Sequence, residues 1–177
     1  VPGRLVLRGE VLMGKEEFAR LNERREVAGE APFANPRNAA AGSVRQLDPK
    51  VTARRSLQVF FYEVTQCEGR DFETQWEVLL TLPKWGLRVN RERLARCRGV
   101  EEAIEYHRSL ESSRDQLDYE VDGAVFKVDR LADHQRLGFR SRDPRWAVAF
   151  KFKPRQMTTR ILDIDVQVGR TGVLTPV

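Results

Sequence analysis

YEVDGAVFKV, residues 119–128, and WAVAFKFKP, residues 146–154, read as two short strands whose side chains alternate between two faces, each carrying a lysine on a run otherwise rich in Val, Ala and Phe. Lys127 and Lys151 therefore need partners, because an ammonium group buried unpaired costs several kcal/mol or gives up its proton. Asp122 supplies a carboxylate just ahead of the first strand, and Gly123 a position where a ligand or another backbone can come close. Two readings fit. Either both lysines face one phosphate-bearing ligand from neighbouring strands, or both are edge-strand gatekeepers pointing to solvent. The chain has six lysines against 25 arginines, and Lys127, Lys151 and Lys153 all fall in this region. Where arginine is the general-purpose cation, a retained lysine suggests a need for a compact, rotatable ammonium.

The length of 177 residues, 41% hydrophobic and 32% charged, suffices for one domain with a core. No apolar run approaches the length of a membrane span. The opening VPGRLVLRGEV carries no signal architecture and starts directly in a strand pattern, so the chain is expected to be a portion of something longer. Cys67 and Cys97 have no metal-type spacing, and reduced thiols in a cytosolic chain are the simplest expectation. A net charge of +5 and a pI near 9.6 fit a polyanionic partner.

Arg4 to Met13 alternates as a strand broken by Arg8-Gly9-Glu10. One reading is a bulge with a local ion pair; the other is that Glu10 faces sugar hydroxyls or a metal-bound water while Gly9 lets the ligand near. Gly14 to Ala28 reads as a helix with Phe18, Leu21 and Val27 on its inner side. PFANPRNAAAGSVRQLDP, residues 32–49, suggests a turn at Asn35-Pro36 and a helix over Arg37 to Leu47. On that helix Arg37 and Arg45, eight positions apart, project from similar faces, either toward phosphates or into surface salt bridges. Leu57 to Val64 is a strand on its aromatic and branched content, and Tyr62 within it is read as core or as a stacking surface for a flat ligand. Helices are expected over Phe72 to Leu82, Gly99 to Ser109 and Leu131 to Gly138, with a turn and short strand at Trp85 to Val89. His107 reads as a helix-surface residue, although its spacing from Ile104 also allows an inward position. Neither His107 nor His134 belongs to a metal cluster or a catalytic triad. Arg160 to Gln167 alternates as a strand, and Val168 to Gly172 is a turn with Arg170 at its tip. That tail looks like the start of a separate β module.

Taken in order, RGEV at 8–11, FANPRNAAAGSVRQLDP at 33–49, FFYEV at 60–64, DGAVFKV at 122–128, WAVAFKFKP at 146–154 and VGRTGVLTPV at 168–177 resemble the adenylation domain of bacterial NAD-dependent DNA ligases. The ANPRNAAAGS-RQLDP and WAVAFKF stretches are distinctive of that family, whereas DG-x-V-x-K is shared with ATP-dependent ligases and capping enzymes. The resemblance implies an α+β fold: an antiparallel-sheet nucleotidyltransferase domain over residues 1–156, then the first strands of an OB-fold barrel over 157–177. It implies NAD and Mg²⁺ as cofactors, nicked double-stranded DNA and NAD or AMP as partners, no membrane, a monomer, and a bacterial cytoplasmic, nucleoid-associated setting. The family's zinc site lies outside this chain.

By the same resemblance, Glu10 takes the carboxylate near the nucleotide ribose, and Lys127 and Lys151 take the two pocket lysines, Lys151 on the AMP phosphate. Asp122 takes the acid ahead of Lys127, with an electrostatic or metal-linked role that Glu10 could share. Tyr62 falls in the strand that lines the nucleotide. Arg37, Arg45 and Arg114 match nucleotide or DNA-phosphate contacts, and Arg170 a DNA-backbone contact. One feature departs from the family: its nucleophile is the lysine of Lys-x-Asp-Gly, and here the only Asp-Gly is Asp122-Gly123, with Glu120 at the nucleophile's offset. The nucleophile is expected upstream of Val1, and the chain alone is expected to form no lysyl-AMP. The rival readings are a DNA-binding module without nucleotide chemistry and an ATP-dependent or capping-type transferase.

Overall fold

Leu57–Cys67 is rich in branched and aromatic residues and Leu5–Met13 in Leu and Val, and they pair antiparallel as β1 and β2 from Leu5↔Cys67 to Met13↔Leu57. The computed structural model describes residues 1–154 and 158–176. Between β1 and β2 lie three helices, α1 (Lys15–Val27), α2 (Pro36–Val44) and α3 (Pro49–Ala53). After β2 come α4 (Gln75–Thr81), which runs into a 3-10 turn at Leu82–Trp85, and α5 (Val100–Ser113). Then follow β3 (Gly123–Lys127), α6 (Leu131–Leu137), a small hairpin of β4 (Phe139–Arg140) with β5 (Asp143–Pro144), and β6 (Ala147–Lys151). The last elements are β7 (Val166–Val168) and β8 (Leu174–Pro176).

The β1–β2 ribbon is the organising element, because its residues reach three separate apolar clusters. Met13 and Leu57 join Leu21 of α1 and Ala39 and Ala40 of α2. Leu12 and Phe60 pack with Leu110, Leu117, Tyr119 and Phe152. Leu7, Phe61 and Val64 pack against Val78, Leu82 and Val89. A strict alternation would offer only two faces; register shifts between Val6 and Leu7 and between Arg8 and Gly9 re-aim the side chains.

Local chemistry explains the helix that matters most below. Asn35 caps α2 by accepting a 2.8 Å hydrogen bond from the Asn38 N–H, and Pro36 occupies the first turn, where its missing N–H is harmless. The small residues Ala39, Ala40 and Ser43 are buried against the rest of the fold. Asn35→Ala removes the cap and is expected to cost about 1 kcal/mol, seen as a fall in Tm of about 2–4 °C.

Several expectations from the sequence are corrected. Only Gly123–Lys127 of the 119–128 stretch is strand: Tyr119 instead buries its ring against Phe60 and accepts a 2.6 Å hydrogen bond from Asn90. Leu87 to Val89 is not a strand, because a single bond from the Phe61 N–H to the Arg88 carbonyl ties it to β2. Val27 is 91% exposed, since α1 ends there. His107 is not on the surface but 5% exposed. Its ring stacks on Phe150 at 3.9 Å between centroids. Helix α2 stops at Val44, so Arg45 is its C-cap and not a residue on its face.

Of the alternating stretch 160–167 only Val166–Val168 is strand, paired with Leu174–Pro176 across a turn in which Gly172 takes a φ of 80°. The side chains of this hairpin are exposed. The expected boundary at 156/157 lies outside the described residues. Both cysteines are free thiols, and burial, with the nearby Glu102 charge, pushes the Cys97 thiol up. No helix among the described residues is long and apolar enough to cross a membrane.

Candidate functional site

The pairing of β3 with β6 sets the geometry. Gly123 lies opposite Lys151 and Lys127 opposite Ala147, and directly opposed residues share a face. One face therefore presents Gly123, Val125, Lys127, Ala147, Ala149 and Lys151. The other presents Ala124, Phe126 and Phe150, and it packs on α5 through the Tyr106–Phe126 and His107–Phe150 ring contacts. The lysine-bearing face is left open, with a floor of small residues and a cation at each end. Four residues of strand separate the two lysines, about 13 Å along the ribbon. In this structure each ammonium rests on its own carboxylate, Lys127 on Glu63 and Lys151 on Asp122, one toward either end of the open face.

The close approach at Gly123 is by backbone. A Cβ there would sit 2.3 Å from the Phe150 carbonyl oxygen, so the missing side chain serves the strand pairing and not a ligand. Gly9 is similar: its open side is filled by the Phe60 carbonyl and the Phe61 and Val59 side chains at 3.0–3.1 Å. A bulge does lie at Arg8-Gly9, but its extra residue is Tyr62 of the partner strand and not one of β1, and the ion pairs run across elements instead of locally: Arg8 to Glu63 at 3.5 Å, Glu10 to Arg37 at 3.9 Å.

At one end, Glu10, Arg37, Asp122 and Lys151 form a continuous row. Arg37 stands 3.9 Å from both Glu10 and Asp122, and Lys151 donates to Asp122 at 2.7 Å. That hydrogen bond, with the Lys151 and Arg37 charges, holds the Asp122 carboxyl below the ordinary aspartate range. All four side chains are largely exposed, so the row adds little stability, and its cations can re-pair with an incoming anion. Glu10 and Asp122 both lie beside the Arg37 guanidinium, and no group of three His, Cys, Asp or Glu residues suited to a metal occurs among the described residues.

At the other end Lys127 is not a gatekeeper, being 15% exposed. Its ammonium lies 4.9 Å from the centroid of Tyr62 and 5.5 Å from that of Trp146, and donates to Glu63 at 3.2 Å. Burial pushes its pKa down, the Glu63 charge and hydrogen bond push it back up, and Arg8 lowers it again. Tyr62 is 38% exposed and is not a core residue, because it is the position skipped between the pairs Arg8↔Glu63 and Gly9↔Phe61. Sequence reasoning missed Glu63. An acid beside an aromatic inside a β-branched strand was as odd as the two lysines and could have been found by the same argument.

None of the other three candidate arginines is ion-paired to this row among the described residues. Arg45 forms no ion pair or side-chain hydrogen bond among the described residues, Arg114 follows α5 with its guanidinium 5.6 Å over the Phe152 ring, and Arg170 is exposed on the β7–β8 turn. A half-open hollow of about 200 Å³, lined by Glu63, Phe72, Leu131, His134 and Trp146 among others, adjoins the Lys127 end without reaching Gly123 or Lys151.

Residues 1–155 match the family model of the NAD-dependent DNA ligase adenylation domain. The chain is 56% identical over 177 residues to a DNA ligase of Salinibacter ruber, covering all of this chain and 26% of that protein. It is 55% identical over 177 residues to a DNA ligase of Syntrophobacter fumaroxidans, covering 99% of this chain and 26% of that protein. Against a DNA ligase of Haloferax volcanii it is 53% identical over 176 residues, covering 99% of this chain and 25% of that protein. The chain thus spans about a quarter of the length of the curated relatives it matches. With helices packed on antiparallel strand pairs and a cationic open floor between Lys127 and Lys151, it belongs to the NAD-dependent DNA ligase adenylation domain family.

Proposed function

We propose that this chain forms one wall of the nucleotide site of an NAD-dependent DNA ligase that seals nicks in duplex DNA through lysyl-AMP and DNA-adenylate intermediates. The observation that carries this reading is the single open face of β3–β6, with Lys127 among aromatic rings at one end and the Glu10–Arg37–Asp122–Lys151 row at the other. A base fits the end where Tyr62 is exposed under a cation, and a phosphate fits the end where Lys151 and Arg37 can exchange Asp122 for an anion. Glu10, beside Arg37, is then placed to accept from ribose hydroxyls. Arg45, Arg114 and Arg170 are assigned to DNA phosphates, with 1–156 as the adenylation domain and 157–177 as the first strands of an OB fold.

The chemistry is three transfers at phosphorus. A lysine amine, losing its proton, forms a P–N bond to the AMP phosphate of NAD as the bond to nicotinamide mononucleotide breaks. The 5′-phosphate at the nick then takes AMP from that lysine. Finally the 3′-hydroxyl, losing its proton, joins the 5′-phosphate and AMP leaves. In each step charge grows on phosphate oxygens, which preplaced cations stabilise. Glu10 and Asp122 suit Mg²⁺ in the mode where one or two carboxylates share it with substrate phosphate, where it would neutralise that charge. The attacking lysine is not assigned within this chain, which has no Lys-x-Asp-Gly.

Labelled NAD and, in parallel, labelled ATP test the reading in the complete ligase polypeptide. Covalent AMP is expected from NAD and not from ATP, and none on the 177-residue chain alone. DNA binding by the complete polypeptide with no adduct from either nucleotide would favour a DNA-binding module instead.

A further inference from the structure

Lys127 and Lys151 share a face but not a condition: Lys151 is 60% exposed on an exposed acid, while Lys127 is enclosed. An enclosed ammonium keeps its proton only if something offsets the lost hydration. Successive strand residues normally point to opposite faces, yet Tyr62 and Glu63 both reach Lys127. The bulge at Tyr62 is what lets two consecutive side chains converge on one cation. Glu63 divides its oxygens, one to Lys127 at 3.2 Å and the other to Arg8 at 3.5 Å. The groups around Lys127 are Tyr62 and Glu63 from β2, Arg8 from β1, and Trp146 just before β6, with His134 of α6 stacked behind Trp146.

We propose that Glu63 is a positioning residue, whose carboxylate keeps the Lys127 ammonium charged and aimed across the Tyr62 ring, so that a nucleotide meets a cation already fixed at the base end of the floor. Arg8 acts through Glu63 in the opposite sense by drawing off part of that carboxylate. This rests on the nucleotide reading of Lys127 given above. Glu63→Gln keeps the shape and a hydrogen-bonding oxygen but removes the charge, so Lys127 should lose its proton at lower pH. Arg8→Met removes a competing cation, so Lys127 should hold its proton to higher pH.

With only six lysines in the chain, side-chain NMR on carbon-13 lysine resolves each titration, Lys127 being assigned from the signal lost in Lys127→Arg. Glu63→Gln is expected to move the Lys127 titration down and Arg8→Met to move it up. In the complete ligase, the alkaline limb of covalent AMP formation should follow both shifts; between the two limbs the Glu63→Gln to native rate ratio falls about tenfold per pH unit. A Lys127 titration indifferent to Glu63→Gln overturns the proposal, and so does an alkaline limb that stays put while the titration moves. Should Glu63→Gln fail to fold, the upward shift in Arg8→Met decides alone. A Lys127→Ala ligase that forms the adduct at the native rate sinks the nucleotide reading itself, a result distinct from the behaviour of the Glu63–Lys127 pair.

Discussion

Lys151→Ala in the complete ligase polypeptide is expected to lower nick sealing by about 10²–10³-fold, the scale on which a single preplaced donor to a developing oxyanion acts. Its effect on folding should be small, because the contact it loses is one ion pair to Asp122 with both partners largely exposed, about 0–1 kcal/mol at most. Even that small loss has a pH window. With the Lys151 hydrogen bond gone, the Asp122 carboxyl moves back up toward its ordinary value. A depressed carboxyl stabilises the fold above its unfolded pKa and ceases to as pH falls through its folded one, so native and variant stabilities should differ near neutrality and converge in acid. Lys151→Arg should restore only part of the activity, since a planar fork replaces a compact ammonium. Sealing at the native rate by Lys151→Ala would remove Lys151 from the site.

Gly123→Ala should have the largest effect on the fold. The added Cβ falls 2.3 Å from the Phe150 carbonyl oxygen and 2.8 Å from the Lys151 Cα, both backbone atoms that no side-chain rotation can clear. Pairing of β3 with β6 has to open at the Gly123↔Lys151 end, at a cost on the order of 3 kcal/mol, or a fall in Tm of about 6–12 °C. Amide exchange should quicken across β3 and β6 together, and nucleotide binding should weaken because the register that puts both lysines on one face is lost. Gly3→Ala is the control, its Cβ meeting nothing nearer than the Glu68 side chain at 3.8 Å. A Tm for Gly123→Ala equal to that of Gly3→Ala would mean that the strands separate without cost.

The two lysine-bearing strands and the helices at α1, α5 and α6 were legible from the chain, because each rests on local chemistry: alternation, amphipathic spacing, a Gly stop. Family membership was legible too, from linear motifs. Less legible were elements whose pattern depends on distant partners. Leu87 to Val89 and Arg160 to Asp165 have strand composition, yet a strand exists only where a neighbouring strand meets its hydrogen bonds, and among the described residues these segments share at most one bond with a strand.

Sequence alone thus determined which residues carry charge in apolar runs, and so that Lys127, Lys151, Asp122, Glu10 and Arg37 needed partners. Tertiary structure decided who those partners are. The β3–β6 register placed the lysines at opposite ends of one face, Gly123 was spent on a neighbouring backbone, and a skipped residue in β2 turned Tyr62 and Glu63 together onto Lys127. Periodicity fixes the face of a side chain along its own strand, but the pairing register and the bulge fix what stands opposite, and both are set by residues remote in sequence: Gly123 with Lys151 in one case, Arg8 with Glu63 in the other.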